Sequence, residues 1–126
     1  MTTKDAIHFG PRLVASPTGT LRAAALVRPA ASIEKAAGMP GEPGAVYARA
    51  LDQHDVLRKT LEYCGVQTVV FESRGDDAFE SAAGDAAVAF DDGVLITRPT
   101  SMSHRAQADR IQAELAVLEV PIVGHI

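Results

Sequence analysis

The sequence predicts an α/β fold, and three observations carry that prediction. Two stretches of helical period each lead into a short β-branched or Val/Ile-rich run. Between them lies a hairpin signal, and the resulting order β, α, β, β, β, α, β is that of strands covered by helices rather than of a bundle or a sandwich.

Residues 1 to about 18 carry Gly10, Pro11 and Pro17 and little periodicity, which predicts a lead-in segment. "GTLRAAALVRP" then reads as a strand ending at Pro29, because proline cannot continue a central ladder. The breakers Gly38, Pro40, Gly41, Pro43 and Gly44 make the next stretch a loop, after a short helical turn at Ser32–Ala37. From Ala45 the period becomes helical: Tyr47, Leu51, His54, Leu57, Leu61 and Cys64 fall on one face at steps of three and four. Gly65 stands where a left-handed C-terminal cap belongs.

"VQTVVFE" is a β-branched run of strand length, and "SRGDDAFES" is polar and loop-like. "DAAVAF" and "GVLITR" flank Asp91-Asp92-Gly93, a hairpin turn in which glycine is expected to supply a positive φ. A second helix is expected from Ser103, a good N-cap residue, with Ala108, Ile111, Leu115 and Leu118 as its buried face. "VPIVGHI" is the last strand, and no tandem repeat is visible in the residues.

The 126 residues suffice for one domain with one core. A net charge of −4 with scattered basic residues argues against a nucleic-acid face, since phosphate binding needs clustered Lys and Arg. There is no apolar run long enough for a membrane helix, and "MTTKDAIHFG" holds no apolar signal core. One cysteine, Cys64, fits a reducing cytoplasm, and the spacing of His and Cys suits no metal site, so neither metal nor other cofactor is expected.

The stretch "SPTGTLRAAALVRPAASIEKA" resembles the opening strand of the amidinotransferase and arginine-deiminase superfamily. "YARALDQHDVLRKTLEYCGVQTVVFE" is similar to the helix and strand that follow in dimethylargininases, and "GVLITRP" with "SHRAQAD" looks like their hairpin strand and next helix. The likeness spans residues 19–126, as the N-terminal modules of a single domain 1–126. It implies a partial pentein fold, about two of five αβ modules set around a central channel. It also implies attack of a cysteine thiolate on a guanidinium carbon, a histidine for the protons, and carboxylates to anchor the cation. The family's cysteine and histidine belong to the half of the fold that lies beyond this match.

The resemblance singles out five residues for binding a substrate or small anion. Asp85 corresponds to the aspartate of the family's Glu-Asp pair, whose glutamate falls on Gly84. Another family aspartate falls on or near Phe79, with Asp76, Asp77 or Glu80 as stand-ins. Against that, Asp85 reads as a strand-start residue capping backbone amides, the reading favoured here because a single carboxylate holds a guanidinium poorly beside a paired, bidentate one. Ser103, His104 and Arg105 stand where the family has Ser-Arg-Arg, one arginine of which receives a carboxylate. Independently of family, two basic residues in a first helical turn oppose the helix dipole, and an anion there would relieve this; a solvated surface pair is the alternative. Arg98, in the Thr-Arg-Pro step, is architectural or lines the channel. His54 is expected as a hydrogen-bonded core histidine, Cys64 as a buried, inert thiol, and His125 without an acid or nucleophile partner.

The expectation is a dimethylargininase-like N-terminal half without catalysis of its own, binding a small anionic or guanidino ligand or a partner chain. The alternative is one half of a split guanidine-modifying hydrolase. Two modules alone leave apolar flanks uncovered, so a homo-oligomer, most simply a twofold dimer, or a complementary pentein half is expected as partner.

Overall fold

A computed structural model describes residues 18–35, 44–75, 81–100 and 102–126 of the chain, with Ser103 through its backbone. The expected lead-in at residues 1–17 and the breaker-rich loop at 36–43 lie outside the described residues.

Strand β1 (Ala23–Val27) is followed by a 3-10 turn at Ala31–Lys35, helix α1 (Tyr47–Tyr63) and strand β2 (Gln67–Phe71). Next come a 3-10 turn at Ala83–Asp85, strands β3 (Ala87–Ala89) and β4 (Val94–Ile96), helix α2 (Met102–Val117) and strand β5 (Ile122–His125). The order is the predicted one. β1 and β2 pair in parallel, Ala23 against Gln67 through Val27 against Phe71. β4 pairs antiparallel with β3 and parallel with β5, which places β4 at the centre of a three-stranded sheet. Each parallel pair is joined by a helix, as parallel strands require a crossover.

No residue in the sequence of α1 breaks a helix, and its solvent side is laced by ion pairs. Asp55 accepts from Lys59 Nζ at 2.7 Å and from Arg58 Nη2 at 2.8 Å, and these hydrogen bonds, Lys59's first, pull its pKa down to about 2. Arg58 also donates to Glu62 at 3.0 Å. The Thr68 hydroxyl donates to Glu62 Oε1 at 2.6 Å, tying α1 to β2 and, ahead of Arg58, holding the Glu62 carboxyl below its usual range.

Both helices end alike. After α1, Gly65 N–H donates to Glu62 O and Val66 N–H to Leu61 O, the Schellman pair, with Gly65 at φ 87° as its sequence position predicts. After α2, Glu119 N–H donates to Ala116 O and Val120 N–H to Leu115 O, with Glu119 itself at φ 61°. The two βαβ units are thus structural counterparts although their sequences show no tandem repeat.

The core gathers Val27 and Phe71 from the first sheet, Val94 and Ile96 from the second, and Ala108, Ile111, Leu115 and Leu118 from α2. All four predicted α2 residues are buried there. The first helix departs from expectation: Leu57 is 48% exposed and Cys64 is exposed, and Tyr47, Leu51, His54 and Leu61 are only half-buried. The physical reason is layering. Helix α2 packs against core residues of both sheets, whereas α1 has, among the described residues, only the β1–β2 sheet and the short 3-10 turn at Ala31–Lys35 against it.

The hairpin turn also differs from expectation in its cause. Phe90 N–H donates to Gly93 O at 2.8 Å and closes the turn, but Gly93 does not have a positive φ. Glycine is required there by close approach. A Cβ at Gly93 would meet the Pro121 carbonyl oxygen at 2.7 Å and collide with Val123, because Val94 N–H donates to that same carbonyl at 2.8 Å.

Candidate functional site

The exit of β4, the second turn of α2 and the end of β5 converge on a cavity of about 230 Å³, lined by Thr97, Arg98, Arg105, Asp109 and His125 among others. Its position follows from the topology: the carboxyl ends of parallel strands leave an opening where the chain departs into the crossover helix. Arg98 is exposed at the cavity rim, which places it among the lining residues. Arg105 is half-buried; its Nε donates to the Pro99 carbonyl at 2.7 Å, and its Nη1 lies 3.6 Å from Met102 Sδ. The guanidinium therefore pins the β4–α2 connection while Arg105 lines the cavity. His125 Nε2 is 3.0 Å from Gln112 Oε1 on α2, a partner the sequence did not reveal because it comes from another element. Among the side chains that line the cavity, two guanidinium groups stand with one carboxylate, Asp109, and Ile126 lines it as well.

The other predicted residues are placed differently. Ser103 lies within the first turn of α2 rather than at its N-cap, since the helix begins at Met102, and its side chain is outside the described residues. His104 is half-buried but does not line this cavity. Asp85 is exposed at the end of the 3-10 turn Ala83–Asp85, and its carboxylate has no hydrogen-bond partner among the described residues. The expected capping of backbone amides by its side chain is not what holds it. Its backbone is held instead, its carbonyl accepting from the Thr97 hydroxyl while Thr97 N–H donates to Ala86 O at 3.0 Å. Beside it, Gly84 has open space where a Cβ would stand. Phe79, Glu80, Asp76 and Asp77 lie outside the described residues.

A second opening of about 250 Å³ lies at the end of β1 against α1, where Arg28, His54, Asp55 and Arg58 meet. His54 is not the hydrogen-bonded core histidine expected: its Nε2 is buried with no partner. Burial, then the cations Arg28 and Arg58, push its pKa below the usual histidine value. Cys64 is exposed at the C-terminal end of α1, away from both openings, and so is not the buried thiol the sequence suggested. Among the described residues no cluster of His, Cys, Asp and Glu is arranged to hold a metal ion, and no helix is long and apolar enough to cross a membrane.

Solved structures share this arrangement of strands and helices. A dimethylarginine dimethylaminohydrolase from Pseudomonas aeruginosa, a cysteine-to-serine mutant complexed with citrulline, matches 86% of this chain at 21% identity and a TM-score of 0.76. The chain carries part of the pentein fold. A dimethylarginine dimethylaminohydrolase adduct with 4-chloro-2-hydroxymethylpyridine matches 85% of it at 21% identity and TM-score 0.73. A histidine-to-glycine variant, as its adduct with S-methyl-L-thiocitrulline, matches 85% at 21% identity and TM-score 0.76. The chain spans only 41–42% of those pentein chains. No protein-family model and no curated protein matches the sequence.

Proposed function

We propose that this chain is a dimethylargininase-like half that performs no hydrolysis by itself and binds a small anion. The observation that carries the reading is the composition of the cavity at the end of β4. Arg98, Arg105 and His125 line it together with Asp109, and the cysteine of the chain stands elsewhere, at the end of α1. A guanidine hydrolase needs a thiolate against the guanidinium carbon and paired carboxylates around the cation. This cavity offers cations, which suit a carboxylate or an inorganic anion. Asp85, with glycine in place of an acidic neighbour, supplies one exposed carboxylate where a paired one would be needed.

NMR titration of the chain with acetate or sulfate tests the reading. Shifts at Thr97–Arg98, Arg105 and His125, weakened by salt and lost in Arg105→Ala, are expected. Incubation with arginine or methylated arginines is expected to give no citrulline. Citrulline formation abolished by Cys64→Ala would overturn the proposal.

A second reading, one half of a split guanidine-modifying hydrolase, is favoured by the share of the pentein chains this sequence spans, about two-fifths of their length. It requires citrulline formation to appear only when a second chain carrying the cysteine and histidine is added.

A further inference from the structure

His54 lies midway along α1 and lines the opening at the end of β1, about 250 Å³, with Arg28, Asp52, Asp55 and Arg58. The residue is half-buried, yet its Nε2 is closed off from solvent and has no hydrogen-bond partner among the described residues. A buried ring nitrogen in that position forgoes its hydration and receives nothing in return. The second unit has no counterpart. With the helix ends overlaid, Gly65 on Glu119, the place of His54 falls to Ala108, a core residue at 3% exposure.

Protonation changes what this position demands. Both nitrogens of an imidazolium are donors, so Nε2 becomes a charged N–H facing no acceptor. It also stands among cations, Arg28 at the exit of β1 and Arg58 one turn along α1; after burial, these two hold the ring neutral. Against them act Asp55 on α1 and Glu72 after β2. Asp52 lines the opening as well, and the 3-10 turn packed on α1 brings Glu34 and Lys35, both exposed. Asp55 and Glu72 differ in how firmly they are held. Asp55 accepts from Lys59 at 2.7 Å and from Arg58 at 2.8 Å. Glu72 is 73% exposed and has, among the described residues, one ion pair, to Arg28 Nε at 3.5 Å. An exposed pair of that length contributes little and is readily exchanged.

We propose that His54 is an acid-operated latch between α1 and the β1–β2 sheet. Neutral, the ring keeps Nε2 buried; protonated, it turns out into the opening and pairs with Glu72 in place of Arg28. The exchange turns a link between two strand exits into one between helix and sheet, and it leaves Arg28 unpaired at the opening. The fold survives it, because other ties of α1 to β2 do not involve His54. Thr68 donates to Glu62 at 2.6 Å, and Val66 N–H to Leu61 O closes the helix. The inference goes beyond the anion reading and uses other residues.

NMR of the full chain, followed through the His54 ring from about pH 8 downward, tests it. Contacts between the ring and the Glu72 side chain are expected only on the acid side of the ring's own titration. The amides of Arg28 and Glu72 are expected to shift with that same midpoint. Glu72→Gln is expected to remove the acid-side contacts and to lower the midpoint by about half a pH unit, roughly a threefold loss of proton affinity. His54→Gln keeps a polar side chain without the titration and should leave Arg28 unshifted over the range. Circular dichroism is expected to stay constant across the midpoint, and Glu72 is exposed enough for its variant to fold. A ring that keeps its neutral-pH neighbours after protonation, a Glu72→Gln chain with an unaltered midpoint, or unfolding at that midpoint would each overturn the proposal.

Discussion

Glu119 stands at the end of α2 where Gly65 stands at the end of α1, and both turn the backbone into the left-handed region, at φ 61° and 87°. A side chain in that region crowds its own carbonyl at a cost of roughly 1–2 kcal/mol, which glycine avoids. Glu119→Gly is therefore expected to stabilise the chain by about 1 kcal/mol, and Gly65→Ala to destabilise it by about as much. Urea unfolding of both variants checks the pair; an unchanged midpoint in Glu119→Gly would mean that the cap carries no strain.

Stability is expected to depend on pH through His54. Its pKa in the folded chain lies below the ordinary value of 6.5, from burial first and then from Arg28 and Arg58. The unfolded chain thus binds the proton more readily. The contribution is fully present above pH 6.5 and is lost as pH falls from there through the lowered folded value. His54→Gln should flatten the unfolding midpoint against pH in that window, whereas the wild type should lose stability on acidification. Asp55 and Glu62 also sit below their usual values, but they titrate at lower pH than this window.

Gly93→Ala is expected to cost about 1–3 kcal/mol, since the added methyl meets the Pro121 carbonyl oxygen, a backbone atom that cannot rotate aside. Gly84→Ala is expected to change stability by no more than about 0.5 kcal/mol, because open space surrounds that position. Equal losses from the two substitutions would contradict the packing described here.

Ile111→Ala removes a side chain sandwiched between sheets and is expected to cost about 2–4 kcal/mol. Leu57→Ala, at the equivalent place on α1, should cost less than about 1 kcal/mol, because half of that side chain is already exposed. Thermal unfolding at low protein concentration compares the two.

Within the cavity at the end of β4, Asp109→Asn is expected to tighten sulfate or acetate binding severalfold by removing the acidic side chain among its lining residues. Arg98→Ala should weaken the same binding. Isothermal titration or NMR shifts measure both, and an Asp109→Asn chain with unaltered affinity would separate that residue from the anion.

Local pattern was enough to determine the order of strands and helices, the hairpin about Asp91–Gly93, the cap at Gly65 and the buried stripe of α2. Each depends on residues within a turn or two of one another: helical period, β-branched runs, and the backbone freedom of a single glycine. Tertiary structure decided the rest. Leu57 and Ile111 carry the same helical spacing and the same apolar chemistry, yet only Ile111 is buried, because a sheet from the other unit lies over it. The lack of a partner for His54 Nε2, the exposure of Cys64, the bond from Gln112 to His125 and the Pro121 carbonyl that makes Gly93 necessary share that origin. In each, the deciding atoms come from, or are missing from, a different element, and burial depends on what lies across the gap, which periodicity along one helix does not encode.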